Sequence, residues 1–208
     1  MPEKTQDFIA LRQILTEILK EICSLSDCQS VGIRLHNNGD YPYYVNEGFP
    51  DFFISKENSV CARDDEDNLI LDEDGNPLLE CMCGNVLKGR FDPKLPYFTE
   101  KGSFWTNCTT QLLKTTTENE RLARTRNMCN HSGYESVALI PIRAGNITLG
   151  LIQINDPREN MFTLKDIENY ETIVERVGSV VLNALEIQKS MKDIFELVKK
   201  LRTPNINC

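Results

Sequence analysis

The chain has 208 residues and a formal net charge of −8, with 40% hydrophobic and 26% charged residues. That length suits one ordinary domain with an added element, and the composition is that of a globular protein. The acidic balance excludes nucleic acid as a partner, since phosphates need a cationic face. No apolar run is long enough to span a bilayer, so no membrane association is expected.

The N-terminal "MPEKTQDFIALRQILTEILKEI" lacks the apolar core and cleavage site of a signal peptide, and a cytoplasmic location is expected. Within it Phe8, Leu11, Leu15, Ile18 and Ile22 form one stripe of an amphipathic helix. In "SVGIRLH", Val31, Ile33 and Leu35 alternate on one face of a strand, and "YPYYVNEG" suits a partner strand across a turn at Asn37-Asn38-Gly39-Asp40. Arg63 to Glu80, "RDDEDNLILDEDGNPLLE", carries eight acids and one base. It lacks the D-x-D-x-D-G spacing of a calcium loop and reads as an exposed β-hairpin insertion turning at Asp74-Gly75. Closing that hairpin would bring Cys61 towards Cys81 and Cys83.

Thr117 and Glu120 form a capping-box pair that predicts a short helix, with Arg121, Arg124 and Arg126 on its solvated face. The less favoured reading pairs these arginines with the acidic run or an anion. "ESVALIPIRAGNITLGLIQIND" is the strongest β signal, two apolar runs meeting at Ala144-Gly145-Asn146. Pro141 cannot donate to the ladder and should face a bulge or an unpaired side. A second capping box, Thr163 with Asp166, opens the last helix, and Phe162 is placed to staple onto Ile167.

From there to Leu201 only Gly178 interrupts the helical pattern, at about 1 kcal/mol. Tyr170, Val177, Ala184, Met191 and Val198 recur every seventh residue, and Ile173, Val180, Ile187, Ile194 and Leu201 fill a second heptad position. This seam predicts a coiled coil and hence a homodimer through the C-terminal helix. A second stripe, Val174, Val181 and Leu185, should cover the sheet. The fold class is α+β: an antiparallel sheet with the N- and C-terminal helices on one face. Residues 1–163 form the domain, with the insertion at about 61–83, and 164–208 form the helix that completes it and extends beyond.

Eight cysteines are many for a reducing compartment, where clustered thiols more often do metal or redox work than form disulfides. Cys23 and Cys28 read as packing or surface thiols, and Cys208 is the final residue. Cys61, Cys81, Cys83, Cys108 and Cys129 remain.

Three blocks in order, "ECMCGNVLKGRFDPKLPYFTEKGSFWTNCTTQLL", "RTRNMCNHSGYESVALIPIR" and "GLIQINDPRENMFT", resemble the GAF domains of sensor histidine kinases. The resemblance runs from about Phe8 to Lys189. It implies a sensory module that binds a small molecule, tetrapyrrole or metal centre and signals through flanking helices, with a histidine kinase or response regulator as partner. It also implies thiols at Cys61, Cys81, Cys83 and Cys129, whereas the family pattern usually has serine where Cys108 stands. Bilin attachment in this family uses Cys followed directly by His; here Asn130 separates Cys129 from His131. Neither histidine, His36 nor His131, lies in a phosphoacceptor motif, and no ATP-binding glycine segment follows, so no kinase activity is expected.

The four thiols are the strongest metal set, for zinc or an iron–sulfur cluster, although C-x-C replaces the usual C-x-x-C knuckle. Inert buried thiols are the plain alternative. Haem is a third reading, with His131 as axial ligand and Cys83 as attachment point, against His131 as a polar loop residue. A fourth comes from the free methionine sulfoxide reductases, GAF-fold thiol enzymes; that chemistry needs an exposed low-pKa thiol, which the acidic insertion opposes. Asn85, Arg90, Trp105, Asn107 and His131 complete the candidate ligand contacts. Tyr97, Phe104 and Trp105 read more plainly as core, and Asn85, Arg90 and Asp92 equally well as residues that fix their loop.

Overall fold

The computed structural model describes residues 3–122 and 124–202, and their side chains except those of 3–10, 177, 188 and 195–202. The strongest β signal forms the centre of the sheet. β4 (Ser136–Ala144) and β5 (Ile147–Asp156) pair antiparallel from Ser136↔Asp156 to Ala144↔Ile147, turning at Gly145 and Asn146. β1 (Ser30–Leu35) lies on the other side of β5, with β2 (Tyr43–Glu47) at one edge and β3 (Phe104–Thr106) at the other. The order is β2-β1-β5-β4-β3, every neighbouring pair antiparallel. β3 pairs only with Val137–Leu139, so Pro141 lies past its end and beside a bulge at Ile142/Arg143. No ladder bond to β3 is lost there.

One face of the sheet carries α1 (Glu3–Ser26) and α6 (Leu164–Arg202). Leu11, Leu15, Ile18 and Ile22 of α1 and Ile167, Tyr170, Val174 and Val181 of α6 share a buried cluster with Val31, Ile33, Leu35, Ile140 and Ile152. The predicted stripe of the first helix is therefore its buried face; the side chain of Phe8 lies outside the described residues. Thr163 N–H donates to Asp166 Oδ2 (2.8 Å) and Asp166 N–H to Thr163 Oγ1 (3.3 Å), the reciprocal pair expected at the start of α6. Phe162 and Ile167, 3% and 0% exposed, join the same cluster.

The N- and C-terminal helices share one face as expected, and further helices cover the other. Val137, Leu139 and Leu151, which alternate with the residues above, point to the opposite face. There they pack on Phe53 of α2 (Asp51–Glu57) and on Met82, Cys83, Val86 and Leu87 of α3 (Cys81–Lys88). α4 (Thr109–Thr115) and α5 (Met128–His131) close this side. The near-continuous apolar runs of β4 and β5 are the signature of strands buried on both faces.

Two expectations are corrected. The acidic insertion is not a single hairpin but two tandem tight turns. Asp64 Oδ1 accepts the N–H groups of Glu66 and Asn68, and Asp72 Oδ1 those of Asp74 and Asn76. Isolated bridges Cys61↔Leu79, Arg63↔Leu69 and Leu71↔Pro77 tie three short segments together. The capping-box contacts of Thr117 and Glu120 do form, but a turn with Leu122 at φ +59° follows instead of a helix. The reason lies in the arginines. Arg121 is 5% exposed and donates to Thr116 O, and Arg126 is drawn inward to two carboxylates, so the segment serves long-range partners rather than a solvated helical face.

On α6, Gly178 meets the sheet: a Cβ there would lie 1.8 Å from Arg143 O. The heptad positions Val180, Ile187 and Ile194 are 42%, 50% and 61% exposed. The side chains of Val177, Val198 and Leu201 lie outside the described residues. Among the described residues no helix is long and apolar enough to cross a membrane.

Candidate functional site

Between the sheet and the α3–α5 side lies a cavity of about 70 Å³. Phe104 of β3 and Val137 and Leu139 of β4 form its floor. Cys81, Met82 and Cys83 from the start of α3, Met128 and Cys129 from α5, and Leu112 of α4 form its walls. Five sulfur-bearing residues thus line one small, largely apolar space, with the Met82 sulfur also 3.9 Å from Asn85 Nδ2. Two come from residues that site reasoning overlooked, Met82 and Met128; their adjacency to cysteine in "CMC" and "MC" was the available signal.

Glu57 of the wall belongs to an ion network in which Arg126 also meets Glu80, the last acid of the acidic run, as the less favoured reading of the arginine cluster had it. Arg126 meets Glu57 Oε2 and Glu80 Oε1, each at 3.3 Å, and donates to Ser59 O at 2.9 Å. Its Nε contact with Glu80 is an ion pair without hydrogen-bond alignment. Glu57 and Glu80 are 7% and 8% exposed. Burial pushes the Glu57 carboxyl up, with Arg126 and Arg34 opposing it. The Arg126 N–H also donates to Cys81 Sγ at 3.1 Å. Cys81 has φ +60°, an uncommon conformation for a non-glycine residue, held by that bond and by its own N–H on Arg124 O.

Beneath these lies Arg34, 0% exposed, its guanidinium 3.6 Å from the centre of the Tyr43 ring. It donates to Gln153 Oε1 and to the carbonyls of Tyr41, Glu57 and Asn58. Among the described residues no carboxylate forms an ion pair with it. Gln153 in turn directs its Nε2 at Cys129 Sγ, 3.7 Å away.

Burial keeps the pocket thiols protonated. It pushes Cys83 up to about 12 in spite of Arg34, and raises Cys129 and Cys81 as well. None is the low-pKa nucleophile that thiol reductase chemistry needs.

Of the four thiols singled out in the sequence, Cys81, Cys83 and Cys129 line this cavity and Cys61 does not. Cys61 faces Gly39 O at 4.0 Å and feels Asp40 after its own burial. The turns bring it opposite Leu79 and into the same apolar cluster as Cys83, but not to the cavity wall. No three of the four sulfurs lie within 4.8 Å of one another. An iron–sulfur cluster or a four-thiolate zinc site therefore does not fit this arrangement, which lacks its fourth ligand. A tetrapyrrole does not fit either: drug-sized ligands occupy clefts of about 300–1,000 Å³. His131 is exposed and does not line the cavity.

The remaining candidates hold the chain together. Asn85, 0% exposed, donates to Arg121 O at 2.7 Å and accepts from Arg90 Nε at 3.0 Å, while Arg90 donates to Leu79 O. Asn107 clamps the entry to α6, donating to Phe162 O and accepting from its N–H. Trp105 packs on the α1/α6 side of the sheet. Among the described residues Cys108, the weakest of the five candidates in the sequence, is the one thiol of a close ligand-type group, with Glu135 and Glu159.

This fold and pocket position define a sensory-type domain, and the GAF family model matches residues 10–181. The chain belongs to the GAF domain family. No curated protein matches it. Among solved structures it is similar to a domain of a protein described as a two-component sensor histidine kinase from Sinorhizobium meliloti 1021. There the TM-score is 0.55 at 11% identity, over 88% of this chain and 98% of that one. The type II free methionine-R-sulfoxide reductase from Thermoplasma acidophilum gives 0.52 at 14%, over 84% and 94%. The blue-light absorbing form of the Thermosynechococcus elongatus PixJ GAF domain gives 0.53 at 8%, over 94% and 97%. At these identities the likeness concerns the fold alone.

Proposed function

We propose that the protein is a non-catalytic, cytoplasmic sensory module in which the Cys81–Cys83–Cys129 pocket takes the signal as a thiol-bound metal. β3 then carries the change to α6, which pairs with a second copy. One observation carries this reading. Phe104 lines the cavity, and its neighbour Ser103 donates to the buried carboxylate of Glu171 on α6. A shift of Phe104 therefore acts on the output helix through one residue. The exposed seam Val180, Ile187 and Ile194 supports the dimer, and neutral, buried thiols favour binding over catalysis. The likeness to sensor kinase domains supports a two-component protein, a histidine kinase or response regulator, as the receiver of the signal.

The test is hydrogen exchange across α6 in the wild type and in Phe104→Leu, alongside metal analysis of anaerobically purified protein. Faster exchange around Glu171 in Phe104→Leu supports the relay, and an unchanged α6 removes it. Metal-free protein that reduces methionine sulfoxide would replace this reading with an enzyme.

A further inference from the structure

We infer that the pocket is a site for a soft monovalent cation, copper(I), held by the Cys83 and Cys129 thiolates with the Met82 and Met128 thioethers beside them. This rests on the pocket being the signal site, and it names the ligand.

Three observations lead there. The first is the donor set. Two methionines and three cysteines face one cavity, together with Glu57 and Arg121 and no imidazole. Soft thiolate and thioether sulfurs select copper(I), zinc or iron–sulfur centres over hard ions, and of these copper(I) makes most use of thioether at a site with few thiolates.

The second is geometry. The sulfurs of Cys61, Cys81, Cys83 and Cys129 do not form a tetrahedral set, and Cys61 is elsewhere. Copper(I) needs no such set, because two thiolates suffice and a thioether can add a third, longer contact. Cys81 accepts a close bond from the Arg126 N–H, whereas Cys129 meets only the longer Gln153 Nε2 contact at 3.7 Å, which leaves Cys83 and Cys129 as the more available pair. A cavity of about 70 Å³ has room for an ion and not for a cluster or macrocycle.

The third is charge. Copper(I) displaces one proton from each of two thiols; both protons leave to solvent, and the bound unit carries one net negative charge. Arg34 is a wholly buried cation whose hydrogen bonds all go to neutral acceptors, and among the described residues it forms no ion pair. The Glu57 carboxylate acts on it without contact and is itself paired with Arg126. A copper dithiolate near Arg34 adds negative charge beside a buried cation that shares its acid with another.

The experiment is an anaerobic titration of the full chain with copper(I) buffered by a chromophoric chelator, with zinc(II) titrated in parallel. Thiolate-to-copper charge-transfer absorption reports the ligands. One copper per chain is expected, bound more tightly than zinc. Cys83→Ser and Cys129→Ser should each weaken copper binding by more than about 100-fold, beyond the loss typical of residues that only support a ligand. Cys61→Ser and Cys108→Ser should leave it unchanged. The volume-conserving pair Met82→Leu/Met128→Leu should weaken copper by about tenfold and leave zinc alone, which keeps the test valid if a cysteine variant folds poorly. Zinc bound more tightly than copper, or copper binding that needs Cys61, overturns the assignment. If copper fails to bind while Phe104→Leu still alters α6, the copper assignment falls and the relay stands. If copper binds as expected and α6 does not respond, the site stands and the sensory reading falls.

Discussion

The hydroxyl of Ser103 donates to the carboxylate of Glu171 across 2.6 Å, and Thr99 donates to the same oxygen. Glu171 is 4% exposed, so a charged group on the output helix is held inside the domain by two hydroxyls from the loop that enters β3. Phe104, next along, touches the cavity.

Removing that carboxylate strands both hydroxyls. Glu171→Ala should destabilise the domain by about 1–3 kcal/mol, the scale for leaving a buried polar group unpaired. Glu171→Gln, which can still accept, should recover most of the loss. Urea midpoints at constant slope measure both.

Gly178→Ala reverses a rule of thumb. In an isolated helix the change would stabilise by about 1 kcal/mol. Here the new Cβ would sit 1.8 Å from Arg143 O, so α6 must lift from β4. A loss of about 1–3 kcal/mol is expected, as for overpacked cores, and calorimetry should show a lower Tm.

Asp156 contributes to the acid limit. Burial pushes its carboxyl up, but hydrogen bonds from Arg158 and from the Gln29 and Arg158 N–H groups outweigh this and hold it below 3.8. A carboxyl lowered in the folded state contributes stability that is full above the unfolded value of about 3.9 and is lost as pH falls through the folded one. Asp156→Asn should therefore lower stability at pH 7 and flatten the decline below pH ~4. Denaturant melts at pH 7 and through the acid range decide it.

The α6 seam is tested by Ile187→Lys with Ile194→Lys. These side chains are 50% and 61% exposed, and burying each against a second copy would be worth up to about 1.5–3 kcal/mol. Sedimentation should show a wild-type dimer and a monomeric variant of equal pocket integrity. A wild type that stays monomeric at high concentration removes the dimer.

What the sequence determined by itself was local. The α1 stripe, the β4–β5 hairpin and its turn, and the Thr163 cap each follow from spacing within about a dozen residues, where side-chain period and turn chemistry act directly. The tertiary structure decided everything that depends on distant charge and packing. It drew Arg126 in rather than onto a solvated helix, because Glu57 and Glu80 stand buried where a cation is needed, and it buried Arg121 on Thr116 and Thr125. It covered the second face of the sheet with short helices that have no long period to reveal them. It separated Cys61 from its sequence neighbours and joined Cys83 to Cys129, 46 positions on, beside two methionines. Thiols carry no local signature of which cavity they will line; that is set by where the loops between helices and strands find room to pack.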